Sequence, residues 1–185
     1  MLVAGKRKFN SVSYRTTRAP QPVALIARSD FPVERIVSGG QTGVDRAALD
    51  FAIEHGIAHS GWCPHGRRAE DGEISPAYAL QETPDAAYPQ RTEWNVRDSD
   101  GTVIFTRAPE LTSGSALTRE LAHAHGKPCL HLSQTADGRR TPARLLAFLR
   151  RHEIKVLNVA GPRLSTEPAA RAFAMQVLDA CVNSR

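Results

Sequence analysis

The chain has 185 residues, 41% hydrophobic and 23% charged, a size and balance that give one soluble globular domain and exclude wholesale disorder, collagen and coiled coil. The longest apolar run, residues 22–27, is far shorter than the roughly 20 residues of a membrane-spanning helix, so no membrane partner is expected. The net charge of +5 is concentrated at one end: Lys6, Arg7, Lys8, Arg15, Arg18 and Arg28 lie within residues 1–29 without an acid, and the rest sums to −1.

Residues 1–30 therefore read as a basic N-terminal tail, and residues 31–185 as the folded domain. A basic tail on a neutral body is a poor nucleic-acid signature, and nucleic acid is not an expected partner. The domain opens with a short β-branched strand over residues 33–37, ending at Ser38-Gly39-Gly40. Val44, Ala47, Ala48, Phe51 and Ala52 then share one helical face. Thr42, with Asp45 three residues on, suits the helix N-cap, and Gly56 ends it. Residues 57–62 give a weaker strand. Residues 63–90 are irregular and proline-rich, a length of loop that is usually functional or disordered. A helix follows at 91–98, a strand at 102–105 and a helix at 115–125. Next come a strand at 128–132, a helix starting at Thr141-Pro142 and a strand at 155–159. A last helix carries Ala170, Phe173, Ala174, Val177, Leu178 and Cys181 on one face. This alternation predicts an α/β fold: a three-layer sandwich with a mainly parallel five-stranded sheet. The expected strand order is 2-1-3-4-5.

Ligands of open α/β sheets bind beyond the carboxyl ends of the strands, where the strand order reverses. Two small, glycine-containing loops stand there at helix N-termini: Gly39-Gly40-Gln41-Thr42-Gly43 and Ser113-Gly114-Ser115. Free amides and the helix dipole suit a phosphate at such termini. Asp45 either stabilises its helix N-terminus or meets a ligand hydroxyl. Arg67 and Arg68 could clamp an anion or pair with Glu70 and Asp71, and Arg163 could reach the crevice from the last loop. His59, Cys63 and His65 invite zinc but lack a fourth ligand, so no metal is expected. Cys63, Cys129 and Cys181 are odd in number and far apart, which reads as reduced thiols in a cytoplasmic setting. No nucleophile elbow and no paired carboxylates stand out. The residues outline a binding site more clearly than a reaction.

Ile36-Val37-Ser38-Gly39-Gly40-Gln41-Thr42-Gly43-Val44-Asp45-Arg46 resembles the opening of the putative molybdenum carrier family. So do Gly61-Trp62-Cys63-Pro64, Gly66-Arg67-Arg68-Ala69-Glu70-Asp71-Gly72, Arg91-Thr92, Asn95-Val96, Asp98-Ser99-Asp100-Gly101 and Asn158-Val159-Ala160-Gly161-Pro162-Arg163. The resemblance spans about residues 34–180. It implies a Rossmann-like fold akin to the nucleotide-binding group of the "lonely guy" proteins and DNA-processing protein A. It also implies a homo-oligomer and a carrier of the molybdenum cofactor (molybdopterin), a phosphorylated small molecule. The phosphate would then sit on the amides of Gly40–Gly43 or of Gly114 and Ser115, with Arg67, Arg68 or Arg163 adding charge. A nucleotide-processing enzyme, a phosphoribohydrolase with Glu120 as its carboxylate, is the alternative. A nucleic-acid module using the basic tail is the third reading. Ser113-Gly114 stands where the family commonly has paired glycines.

Overall fold

The structure, a computed structural model, describes residues 31–111 and 113–184; the expected basic tail lies outside the described residues. The first strand β1 (Arg35–Val37) leads to α1 (Val44–Glu54) and β2 (Ala58–Ser60). Four two-residue strands follow: β3 (Trp62–Cys63), β4 (Arg68–Ala69), β5 (Gly72–Glu73) and β6 (Gln81–Glu82). Then come α2 (Tyr88–Arg97), β7 (Gly101–Thr106), α3 (Ser113–Ala124), β8 (Cys129–Ser133) and α4 (Gln134–Asp137). A 3-10 turn (Gly138–Arg140), α5 (Thr141–Arg151), β9 (Val156–Ala160) and α6 (Pro168–Val182) complete the chain.

Five strands form an all-parallel sheet in the order β2-β1-β9-β7-β8. This corrects the expected 2-1-3-4-5. The last strand lies at the centre, not at an edge. Leu157 and Val159 are fully buried there, while β2 and the start of β8 stay partly exposed. Either order satisfies right-handed crossovers; burial of the apolar last strand on both faces decides. Counting β9 as the first strand turns the order into 3-2-1-4-5, the dinucleotide-fold arrangement. The fold is Rossmann-like, with its opening strand and helix placed at the end of the chain.

Val103 and Phe105 of β7 enter the main core with Ile36, Leu157 and Val159. Apolar stripes of α1, α5 and α6 complete that core, and Phe105 meets Phe173 edge-on at 5.7 Å. Each such side chain contributes about 1.5–3 kcal/mol by leaving water. Side chains alternate along a strand, so Ile104, Asn158 and Thr102 take the opposite face, where α2 and α3 pack. Asn158 donates to the Thr102 hydroxyl there at 3.1 Å. α2 docks through Asn95, which bonds both the amide (2.8 Å) and the carbonyl (3.0 Å) of Trp62.

The strand expected over 57–62 is split in two. Gly61 has φ +151°, and a Cβ there would strike the carbonyl of Ser38, so the chain bends away and Trp62 joins another sheet. The excursion from 64 to 87 is ordered from within. The Arg67 guanidinium donates to the carbonyls of Ile74 (2.9 Å), Leu80 (3.1 Å), Ser75 (2.8 Å) and Tyr78 (3.0 Å). Arg46 holds Asp71 bidentately at 2.5 and 2.7 Å, and the Tyr78 hydroxyl donates to Asp50 at 2.7 Å. Burial and that carboxylate push the Tyr78 phenol up to about 12, so it stays a donor.

Candidate functional site

The carboxyl ends of β1 and β9 and the start of α3, the helix after β7, surround a cavity of about 430 Å³. This is the switch point of the permuted strand order, so the correction of topology moves the expected crevice to β9. Four pieces of chain line it: the β1–α1 turn with Asp45, α2, the first two turns of α3, and the end of β9 with the loop that follows.

The β1–α1 turn is bound up within the protein. Gly43, not Thr42, caps α1; its φ is +81°, and the loop from Pro162 to Leu164 lies where a Cβ would be. The Thr42 hydroxyl donates to Glu70 and accepts from the Leu164 amide at 3.1 Å. The Thr42 amide donates to Gln41 Oε1 at 3.0 Å, the Val44 amide to Pro162 at 3.4 Å and the Arg46 amide to Gln41 at 3.1 Å. Gly40, at φ +72°, packs against Leu80 and Ile74 and does not line the cavity. Gly39, Gln41 and Asp45 do.

Asp45 is 3% exposed and receives Arg91 Nη1 at 3.0 Å. Burial pushes its carboxyl above the usual range; Arg91 and the backbone at Gln41 and Gly39 pull the other way. The Arg91 guanidinium lies over Gly39, in the space a Cβ would fill. Asp45 sits in the first turn of α1 and also lines the cavity. The Tyr88 ring has the guanidinium carbons of Arg91 and Arg163 at 5.8 and 5.6 Å from its centroid. Arg163 lines the cavity and is 44% exposed, with Glu70 at 4.0 Å. Glu70 fastens the loop carrying Arg163, accepting from the Ser165 amide at 3.1 Å and from the Ser165 and Thr42 hydroxyls. These bonds, that of Ser165 foremost, hold its carboxyl below the usual range.

Across the cavity, Ser113 opens α3, and Gly114 and Ser115 line the wall with Thr118. Thr118 turns its hydroxyl to the Gly114 carbonyl at 2.8 Å. A Cβ on Gly114 would meet nothing within 4 Å, so this helix start is open.

Arg67 and Arg68 stand elsewhere. Arg67 is committed to the carbonyls of its own loop, and Arg68 is exposed on β4; neither lines the cavity. His59, Cys63 and His65 go to separate partners: the Ala79 amide, the apolar cluster of Leu49, Ile74 and Leu80, and Glu82. Glu120 is exposed on α3, outside the cavity. Burial raises the thiols of Cys63, Cys129 and Cys181, the last two to about 11 and about 12, so all three are protonated. Sequence reasoning assigned no site role to Arg91, Tyr88 or Asn158. Asn158 carried a signal, a lone amide within an apolar central strand. Arg91 and Tyr88 lie on a polar helix with no such mark, Arg91 being singled out only by the Arg91-Thr92 motif of the resemblance.

Among the described residues, no helix is long and apolar enough to cross a membrane. No curated protein matches the sequence. A solved crystal structure, that of a putative molybdenum carrier protein from Syntrophus aciditrophicus SB, is similar at 46% identity and a TM-score of 0.77. The likeness covers 80% of this chain and 94% of that one. The model of the circularly permutated YpsA SLOG family matches residues 36–182, and the permuted strand order agrees with that description. Strand order and sequence together show that this chain belongs to the circularly permutated YpsA SLOG family.

Proposed function

We propose that the chain binds a phosphorylated small molecule in the cavity between the carboxyl ends of β1 and β9 and the start of α3, as a carrier of the molybdenum cofactor. One observation carries the reading: an open helix N-terminus at Gly114 and Ser115 shares a single cavity with Arg163. The amides of α3 and the Arg163 guanidinium then hold the phosphate. The α1 terminus is the poorer choice, because its amides bond within the protein and the buried Asp45 carboxylate already stands there. The similarity to a protein described as a molybdenum carrier supports the choice of ligand.

The lining fits the organic part of that cofactor. Gln41, Asn158, Ser115 and Thr118 supply polar atoms, and Tyr88 supplies an aromatic face. Among the described residues no cysteine or histidine lines the cavity, so this chain offers the metal no thiolate or imidazole. The cofactor's own dithiolene would carry the molybdenum.

Mass spectrometry of small molecules released from the purified protein should find a phosphorylated heterocycle at near-stoichiometric yield. Gly114→Asp puts a carboxylate beside the phosphate. At about 4 Å two charges repel by roughly 1–4 kcal/mol, so affinity should fall by about one to three powers of ten. Gly114→Ala, with free space around its Cβ, should bind normally. Wild-type affinity in Gly114→Asp would place the phosphate elsewhere.

A further inference from the structure

Among the described residues, the buried side-chain nitrogen and oxygen atoms without a hydrogen-bond partner are two: Gln41 Nε2 and Arg91 Nε. Both residues line the same cavity. Buried polar atoms are nearly always paired, so two unpaired donors at one cavity point to an acceptor supplied from outside the chain. Both orphans are donors. The Gln41 amide cannot be turned around, because its Oε1 accepts from the amides of Thr42 and Glu70, each at 3.0 Å. Arg91 Nε is always protonated, and its guanidinium is held by Asp45 at 3.0 Å.

Charge decides which acceptor belongs there. The side chains of Arg91 and Asp45 are 15% and 5% exposed, and their charges cancel one another. A phosphate beside them would be a buried, uncompensated anion. An oxo group offers such donors an acceptor and adds no charge. Its amino counterpart would set donor against donor.

We propose that Gln41 and Arg91 form a specificity subsite for the oxo group of the ligand's heterocycle. The cavity thereby selects an oxo-bearing ring, of the 2-amino-4-oxopteridine or 6-oxopurine type, over the amino analogue. This rests on the phosphorylated-ligand reading above and adds the chemistry of the ring.

Calorimetric titration of the full chain tests it with two pairs, inosine against adenosine 5′-monophosphate and pterin against 2,4-diaminopteridine. Ribose 5-phosphate serves as a phosphate-only probe. In each pair that binds, the oxo member should be tighter by about tenfold or more. Gln41→Glu keeps acceptors for the Thr42 and Glu70 amides and replaces the orphan donor with an acceptor. Its thermal melting should stay cooperative, and the oxo-to-amino preference should fall toward one. Equal affinity within both pairs in the wild type overturns the proposal without any variant. So does a preference that survives in folded Gln41→Glu. If ribose 5-phosphate binds and the pairs show no preference, the oxo subsite alone falls. If no probe binds, the phosphate reading falls with it.

Discussion

At the scale of single residues, arginines in similar sequence settings hold different posts. Arg67 lies in a motif that looks ready to grip an anion, yet its guanidinium meets four carbonyls of its own loop. The bonds to Ile74, Leu80 and Tyr78 are part-buried and the one to Ser75 is exposed, and a charged donor to each is worth more than a neutral one. Arg67→Ala should therefore lower unfolding free energy by about 2–4 kcal/mol. Arg67→Lys should recover only a minor part, because one ammonium cannot reproduce the planar fork. Urea denaturation checks both, and an unchanged midpoint in Arg67→Ala would return the residue to the list of ligand contacts. Arg91 owes its post to a neighbour without a side chain, since Gly39 leaves room for its guanidinium.

At the scale of elements, one carboxylate ties the loop between β9 and α6 to two other parts of the chain, beside the bonds of Leu164 to Thr42 and of Pro162 to Val44. Glu70 joins β4 and β5 to Thr42 at the start of α1 and to Ser165 beside Arg163. Its folded pKa lies below the ordinary 4.5 because the bonds favour the charged form. The stabilisation is therefore complete above 4.5 and is lost as pH falls through the folded value. Asp71 and Asp98, held down by Arg46 and Arg97, change in the same direction. Stability measured by urea between pH 6 and about 3 should drop on the acid side. The gap between wild type and Glu70→Gln should be widest near neutrality and close as the pH falls. A gap independent of pH would show that Glu70 acts by shape alone.

At the scale of the whole molecule, the permuted order makes a strong prediction. β9 and α6 occupy the places of a first strand and first helix, and α1 packs beside α6. A chain that begins at Lys155 and joins residue 184 to residue 31 through a short flexible linker should restore the dinucleotide-fold order in sequence. All five strands keep their neighbours in it, so its circular dichroism spectrum should match the parent's. Its affinity for ribose 5-phosphate should lie close to the parent's as well. A molten or aggregated product would mean that the present order of synthesis is needed for folding.

Local pattern determined much of this. The β-branched run before Ser38, the apolar stripes of α1, α5 and α6, and the alternation of strands with helices follow from side-chain periodicity, which every segment carries within itself. Gly39, Gln41 and the start of α3 line the cavity and were legible for the same reason, since small residues between a strand and a helix are read one segment at a time, whereas Gly40, Thr42 and Gly43 of the same turn do not line it. Strand order was not, because it depends on which neighbour a strand meets, and residues 36 and 157 are adjacent in the sheet though far apart in the chain. The partners of Glu70 and Gln41 were hidden for the same reason, each set by a loop that returns from elsewhere, and those of Arg67 by the fold of its own loop. Arg91, on a polar helix with no periodic signal, became part of the site only when tertiary packing laid its guanidinium over Gly39 and against Asp45.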